Sequence, residues 1–343
     1  MLTPRFWKNS GSNSGMTTFF LTPFSWIWTL GLKYRLNVPP HKVKVPVICI
    51  GNINLGGVGK TPTVIAFTKK LKEIGLNPHI VSKGYKGKLT GPVLVSEKHN
   101  SKDVGDEPIL LSSFAPTWVS KDRVKGAKEA VENGCDIIIL DDGFQNGYLH
   151  KDFSVIVVDA KRGFGNERVF PAGPLRESVD RGLKRADLML LVGDEPDRVR
   201  FLNQKKEIQL EICEANVEVI ETGFEWKNAR VLAFAGIGNP EKFFESLRTV
   251  GANILKKIPL SDHANLNRKL ISRLLKEAKE MDAILVTTEK DAVRLPEEFK
   301  SEILTLPIRL LINDWEKINK QIETPLKRYI PLKIIFLLIL VDK

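Results

Sequence analysis

The sequence predicts an α/β fold in which a doubly wound, mostly parallel sheet is followed by a second, smaller α/β domain. Three observations carry this. Apolar runs of strand length alternate with amphipathic helical stretches along most of the chain. One such run, 45–50, leads straight into the glycine-rich stretch Gly51-Asn-Ile-Asn-Leu-Gly-Gly-Val-Gly-Lys-Thr-Pro62. At 343 residues the chain exceeds the usual size of one domain, so two cores are expected.

Residues 1–44 precede the first strand and read as a basic, aromatic, membrane-associating segment. Positions 1–72 hold ten Lys and Arg and no acid, Glu73 being the first, although the net charge of the whole chain is only +11. Such asymmetry calls for an anionic partner on that side. Between 19 and 36, aromatics at 19, 20, 24, 26, 28 and 34 stand beside Lys33 and Arg35, the mixture that settles at lipid headgroups. The stretch is short and interrupted by Pro23, so it is expected to lie on a bilayer rather than cross it. Packing of these aromatics on the protein's own core is the competing expectation. No helix-turn-helix, zinc-finger or RNP-type pattern points to nucleic acid, and nothing calls for an obligate protein partner.

The first domain is expected over 45–225, with strands at 45–50, 79–82, 117–119, 136–140, 154–158 and 188–192 and helical patterns between several of them. A break near 223–228 opens a second domain over 226–330. Its strands are expected at 230–235, 253–258, 283–287 and 306–311, and its helices at 240–250 and 266–281. An apolar tail, 331–343, contains eight consecutive apolar residues at 334–341, a last strand or a second surface anchor. Cys49, Cys135 and Cys213 are widely spaced in or beside apolar stretches, as buried thiols are, and the five histidines are scattered. A reducing compartment without disulfides or a structural metal is the simplest expectation.

Two motifs carry chemistry. A strand, a glycine-rich loop and a helix opening on Lys60-Thr61 form an anion site of backbone N–H groups, the P-loop NTPase-like arrangement for a nucleoside triphosphate. The nucleotide-binding set is Asn54, Gly56, Gly57, Val58, Gly59, Lys60, Thr61 and Pro62. In it Lys60 reaches the β- and γ-phosphates and Thr61 offers its hydroxyl to Mg²⁺. Asn54 stands where the strict pattern has glycine, and asparagine tolerates left-handed geometry. The second motif is Asp136-Ile-Ile-Ile-Leu-Asp-Asp-Gly-Phe-Gln-Asn146, a strand ending in two carboxylates. Adjacent Asp141 and Asp142 repel each other unless a cation lies beside them, so they are candidate Mg²⁺ ligands.

Six ordered motifs then resemble those of one family. They are the run 51–61, Gly105-Asp-Glu-Pro108, Asp141-Asp-Gly-Phe-Gln145, Pro171-Ala-Gly-Pro-Leu-Arg-Glu177, Asp262-His263 and Thr288-Glu-Lys-Asp-Ala-Val-Arg294. Together they resemble the tetraacyldisaccharide 4′-kinases of lipid A biosynthesis. The resemblance implies a peripheral enzyme on the cytoplasmic face of the bacterial inner membrane. It would move the γ-phosphate of ATP to the 4′-hydroxyl of a tetraacyldisaccharide 1-phosphate, giving lipid IV-A. It further implies Asp106 as base, supported by His263 from the second domain, with Glu107 joining Asp141 and Asp142 around Mg²⁺. Arg123 and Arg176 are candidates for gripping phosphate, because a planar guanidinium matches its oxygens. Asn146 departs from the family, where many relatives carry His, and the segment 82–87 carries Lys where Arg is common. Residues 288–294 either contact nucleotide across the cleft or cap a helix.

The alternative is a membrane-cycling P-loop ATPase switch of the partitioning or positioning type. Those loops carry a signature Lys where this chain has Leu55. A GTP-dependent metallochaperone would want clustered Cys or His, which the sequence lacks.

Overall fold

The computed structural model describes residues 4–7 and 15–329. The apolar tail 331–343, expected as a strand or an anchor, lies outside the described residues, as do residues 8–14.

Thirteen strands form two sheets among the described residues. In chain order they are β1 (Val47–Gly51), β2 (Pro78–Ser82), β3 (Val93–Leu94), β4 (Thr117–Val119), β5 (Ile137–Asp141), β6 (Phe153–Asp159), β7 (Leu188–Val192), β8 (Ile212–Val219), β9 (Arg230–Ala235), β10 (Asn253–Pro259), β11 (Ile284–Thr288), β12 (Leu304–Leu306) and β13 (Ile308–Ile312). The helices are α1 (Met16–Leu36), α2 (Lys60–Glu73), α3 (Ser101–Val104), α4 (Asp106–Ser112), α5 (Arg123–Glu132), α6 (Val179–Leu183), α7 (Glu195–Gln204), α8 (Pro240–Thr249), α9 (Arg268–Glu280), α10 (Glu289–Ala292) and α11 (Trp315–Leu326).

The large sheet runs β13-β8-β7-β6-β1-β5-β2-β4-β3, parallel except for β3 and β13, which close its two edges antiparallel. Strands β1, β2, β5, β6 and β7 are buried along their whole length, which is why they read as continuous apolar runs rather than alternating ones. Helices α2, α4 and α11 cover one face, and α5, α6 and α7 the other. After β5 the chain returns on the opposite side of β1 to form β6, so β1 sits at a topological switch point. Open α/β sheets bind their ligands beyond the strand ends at such a point. The small sheet, β10-β9-β11-β12, is parallel throughout and packs α8 on one face and α9 on the other.

The run 306–311, expected to close the second domain, divides instead. β12 ends at Leu306 on the small sheet, while β13 pairs antiparallel with β8 of the large one. Leu310 and Ile312 join the core of the first domain, where Ile318, Ile322 and Leu326 of α11 meet them. β8 was not expected from the sequence. Its buried positions, Cys213 and Ala215, alternate with polar residues, a period-two signal too short to stand alone. All three cysteines are buried free thiols.

α1 runs unbroken through Pro23 for 21 residues. Its buried positions are Thr18, Ser25 and Leu32, whereas Phe19, Phe20, Phe24, Trp26, Ile27 and Leu30 are exposed. This inverts the usual pattern of a surface helix, so these residues do not pack on the protein's own core, whereas Trp28 stands edge-on to Phe170 with ring centroids 5.0 Å apart. The small polar side docks on the loop before α6: Ser25 Oγ donates to the Val169 carbonyl at 2.8 Å, and Trp28 Nε1 donates to the Arg176 carbonyl at 2.8 Å. Among the described residues no helix is long and apolar enough to cross a membrane.

Candidate active site

The cleft between the two domains gathers most of the residues singled out from the sequence. Fully buried β1 delivers the chain to the glycine loop, and α2 begins at Lys60. Gly56 and Gly59 both sit at φ of +101°, a conformation open to glycine and strained for other residues, so the loop turns twice before the helix. Gly56, Gly57, Val58, Gly59, Thr61 and Pro62 all line the cleft. Asn54 does something other than expected. It is absent from the left-handed residues; its side chain is buried, and Nδ2 donates to the Gly163 carbonyl at 3.0 Å. Asparagine here ties the loop to the segment after β6.

Lys60 Nζ lies 3.4 Å from Asn52 Oδ1 and 3.7 Å from Asp142 Oδ1. Burial lowers its pKa, an effect that Asp142 and Asp141 partly oppose. Asp141 ends β5, and Asp142 follows at φ +47°, which turns its carboxylate towards the cleft. Asp142 is gripped by Arg176 through two bonds, Nη1 to Oδ1 at 2.8 Å and Nη2 to Oδ2 at 3.1 Å. Burial would raise its pKa, but Lys60 and Arg176 outweigh burial and hold the carboxyl well below its usual range. Asp141 receives Ser82 Oγ–H at 2.8 Å. Burial, with the neighbouring charge of Asp142, pushes its pKa up to about 6. Two adjacent carboxylates are thus driven apart in character, one fully ionised and one short of positive charge.

Across the cleft, Asp106 and His263 meet. Asp106 opens α4 behind Gly105, which takes the N-cap position at φ +91°. The Asp106 side chain is free for another task, and its Oδ2 lies 2.7 Å from His263 Nδ1. His263 occupies a turn at φ +58°, held by its N–H bond to the Gly236 carbonyl at 3.0 Å. Both side chains are more than nine-tenths buried. A left-handed conformation at a bulky residue is costly, and here two such residues, Asp142 and His263, belong to the site.

Three of the expected ligand residues line the cleft and have protein partners there. Glu107, expected beside Asp141 and Asp142, turns to Lys290, with Oε1 2.6 Å from Nζ. Burial disfavours the Lys290 charge, yet Glu107, Asp262 and Asp106 outweigh it and raise the pKa. Arg123 is buried with Nη1 on the Ser120 carbonyl at 3.0 Å and Nη2 on the Asp141 carbonyl at 3.2 Å. Its fork braces two strand ends. Arg176, besides Asp142, donates to Gln145 Oε1 at 3.0 Å, so it organises the acid pair. The sequence did not flag Gln145 as a linker, although its amide also donates to Asn52 O and Glu177 Oε1. Nor did it flag Lys290 and Arg294, whose motif carried the signal without a role. Asn146 Oδ1 accepts the Tyr148 and Leu149 N–H groups and stabilises the turn after the acid pair.

Among the described residues no three His, Cys, Asp or Glu side chains cluster as a metal set. The donors that remain, the Asp141 carboxylate and the Thr61 hydroxyl, suit Mg²⁺, which takes one or two protein oxygens and completes its shell with phosphate and water. The raised pKa of Asp141 is the mark of a carboxylate that a divalent cation would relieve.

Comparison with known proteins gives a consistent answer. A family model described as tetraacyldisaccharide-1-P 4′-kinase matches residues 17–327. The chain is 47% identical over 328 residues to a tetraacyldisaccharide 4′-kinase of Dinoroseobacter shibae, covering 94% of this chain and 97% of that one. It is 46% identical over 331 residues to the corresponding protein of a Jannaschia species, covering 96% and 100%. A crystal structure of LpxK from Aquifex aeolicus in complex with ATP superposes with a TM-score of 0.73 at 27% identity, covering 91% of this chain and all of the other.

Proposed function

The chain belongs to the tetraacyldisaccharide-1-P 4′-kinase family, making it a kinase of lipid A biosynthesis rather than a switch ATPase, and we propose how its residues perform the transfer. ATP lies with its phosphates along the loop 54–61, where Lys60 neutralises the β- and γ-oxygens. Asp141 and Thr61 would hold Mg²⁺, which would supply further charge neutralisation at the phosphates. Arg176 and Lys60 keep Asp142 ionised at the edge of this field.

The 4′-hydroxyl of the tetraacyldisaccharide 1-phosphate enters opposite, beside Asp106. Asp106 accepts the hydroxyl proton, the freed oxygen bonds the γ-phosphorus, and the bond to the β-phosphate oxygen breaks, its electron pair leaving with ADP. His263 donates to Asp106 and keeps it oriented. The 2.7 Å Asp106–His263 contact carries this reading, because it joins the two domains and His263 lines the same cleft as Lys60. Closure of the second domain over the loop would exclude water, which a kinase needs in order not to hydrolyse ATP.

The lipid substrate also gives α1 a role. We place its exposed aromatic face at headgroup depth on the cytoplasmic leaflet, with Lys33 and Arg35 at its C-terminal end meeting anionic lipid. Trp28 links this helix to Arg176, and Arg176 to Asp142, so the surface anchor and the phosphate site share one loop.

The test is transfer of labelled γ-phosphate from Mg·ATP to tetraacyldisaccharide 1-phosphate in detergent micelles, comparing the wild type with Asp106→Asn. Turnover should fall by roughly 10²–10⁴-fold while ATP still binds. An unchanged rate would remove Asp106 from the chemistry.

A further inference from the structure

Residues 288–294 do cap a helix. The Asp291 N–H donates to Thr288 Oγ1 at 3.0 Å, and Thr288 Oγ1 donates to Asp291 Oδ2 at 2.7 Å. That cap also sets Lys290, Asp291 and Arg294 within one turn of chain, and all three serve the Asp106–His263 pair.

Arg294 holds the His263 turn from both sides. Its Nη1 donates to the Ala264 carbonyl at 2.7 Å and its Nη2 to the Gly236 carbonyl at 3.1 Å, the same carbonyl that receives the His263 N–H. Asp291, fully buried, accepts the Gly236 N–H at 3.0 Å and pairs with Arg294, so guanidinium and turn form one unit. Arg294 Nε, which makes no hydrogen bond, then lies 3.3 Å from Asp106 Oδ2 as an ion pair, on the oxygen that His263 also faces. One Arg therefore registers a turn of the second domain against a carboxylate of the first. Both contacts fall on the same Asp106 oxygen, Oδ2.

Lys290 acts on the far side of the ring. Its Nζ is 2.6 Å from Glu107 Oε1, 3.8 Å from Asp262 Oδ1 and 3.5 Å from His263 Nε2. The carboxylates nearest Nε2, Asp262 at 3.7 Å and Glu107 at 3.9 Å, lie beyond hydrogen-bond reach. An ammonium only donates, so the Nε2 that faces it carries the lone pair and the ring hydrogen sits on Nδ1, pointing at Asp106. The groups around His263 are thus Asp106 and Glu107 from α4, Asp262 beside it in the turn, Lys290 and Arg294, with the Tyr85 ring edge-on at 5.6 Å.

We propose that Lys290 and Arg294 are positioning residues for the base. Arg294 locks Asp106 to the His263 turn across the domain boundary, and Lys290 holds His263 as the Nδ1–H tautomer, leaving Asp106 Oδ1 to accept the proton. This rests on Asp106 acting as the base.

Two readouts test it. In protein labelled with ¹⁵N-histidine, the His263 ring signals, identified by their loss in His263→Ala, should show the neutral Nδ1–H pattern at pH 7.5. Lys290→Met should move them out of that pattern, and Lys290→Arg should keep them in it. In steady-state kinetics, Lys290→Met and Arg294→Lys should each lower kcat by about 10- to 100-fold, with KM for ATP within about twofold of wild type. Lys290→Arg should recover most of the rate. Arg294→Lys keeps the charge but loses the fork that spans two carbonyls and a carboxylate. A Lys290→Met ring that stays Nδ1–H with unchanged kcat would overturn the role of Lys290. A fall in kcat matched by an equal rise in KM for ATP, without recovery in Lys290→Arg, would reduce both residues to general packing. The failures separate: wild-type turnover in Asp106→Asn would sink the base itself, whereas the ring signals report on Lys290 without reference to activity.

Discussion

Asp141→Asn should stabilise the ligand-free protein while removing its Mg²⁺-dependent turnover. Asp141 is buried at the end of β5, and its pKa is pushed up to about 6 from an ordinary 3.8 by burial and by Asp142. About two units of pKa correspond to about 3 kcal/mol. The sign follows from which form the fold disfavours. A raised carboxyl pKa means that the native state bears the cost of ionisation at neutral pH and is relieved as pH falls through 6 towards the unfolded value. Asparagine does not ionise, and its Oδ1 still accepts the Ser82 hydroxyl that Asp141 now receives at 2.8 Å. The variant should therefore exceed wild type by at most about 3 kcal/mol at pH 7.5 and by about 1 kcal/mol at pH 4.5.

Asp142 titrates with the opposite sign, since Lys60 and Arg176 depress its pKa and its contribution is lost in acid. It is present in both proteins and largely cancels in the difference. The assay is urea unfolding of both proteins at the two pH values with divalent ions chelated. In parallel, phosphate transfer at saturating Mg²⁺ should fall by on the order of 10²-fold or more, the loss of several kcal/mol of charge stabilisation. A variant no more stable than wild type at pH 7.5, or a gain that does not shrink in acid, would refute the account of Asp141 as a carboxylate whose charge burial and Asp142 disfavour. Stability and activity pulling apart at one residue is what a functional carboxylate held at a cost to the fold should show.

The other expectations concern the parts around the acid pair. A Cβ on Gly238 would lie 3.3 Å from the Gly57 nitrogen, so Gly238→Leu should wedge the second domain off the phosphate loop and raise KM for ATP about tenfold or more. An unchanged KM would mean that the domains do not need this approach to bind nucleotide. Phe20 and Trp26 are 64% and 66% exposed on α1, and Phe20→Glu with Trp26→Glu should weaken binding to anionic vesicles by about tenfold per residue, the burial of roughly 1.5 kcal/mol of side chain each. Co-sedimentation with anionic and neutral vesicles reads this directly, and undiminished binding would take α1 out of the interface.

Much of the architecture was legible because fully buried parallel strands announce themselves: the runs at 47–51, 137–141 and 188–192 are apolar at nearly every position. The glycine loop was legible for a similar reason, since its conformations restrict the residues that fit. Edge and crossing elements were harder. β8 and β13 are only partly buried, so neither reads as a continuous apolar run, and the core that β13 joins is decided by which apolar side finds α11. The same limit held for charged side chains. Arg123, Arg176 and Glu107 have the composition of phosphate or metal ligands, but a charge finds its partner in three dimensions, and here the partners are two carbonyls, Asp142 and Lys290.

The sequence by itself determined the local chemistry: a loop of glycines before Lys60 and Thr61, a strand ending in two acids, and a first segment rich in cations and aromatics without an acid until Glu73. Each is set by steric permission or charge within a few neighbouring residues. Only the tertiary structure decided which groups act on one another. Asp106 and His263 are 157 residues apart, and their 2.7 Å contact exists because two separately cored domains dock with α4 against the turn that Arg294 holds. Folding also decided that Phe19, Phe20, Phe24 and Trp26 face outward, because the docked side of that helix is lined by Thr18, Ser25, Trp28 and Leu32 instead.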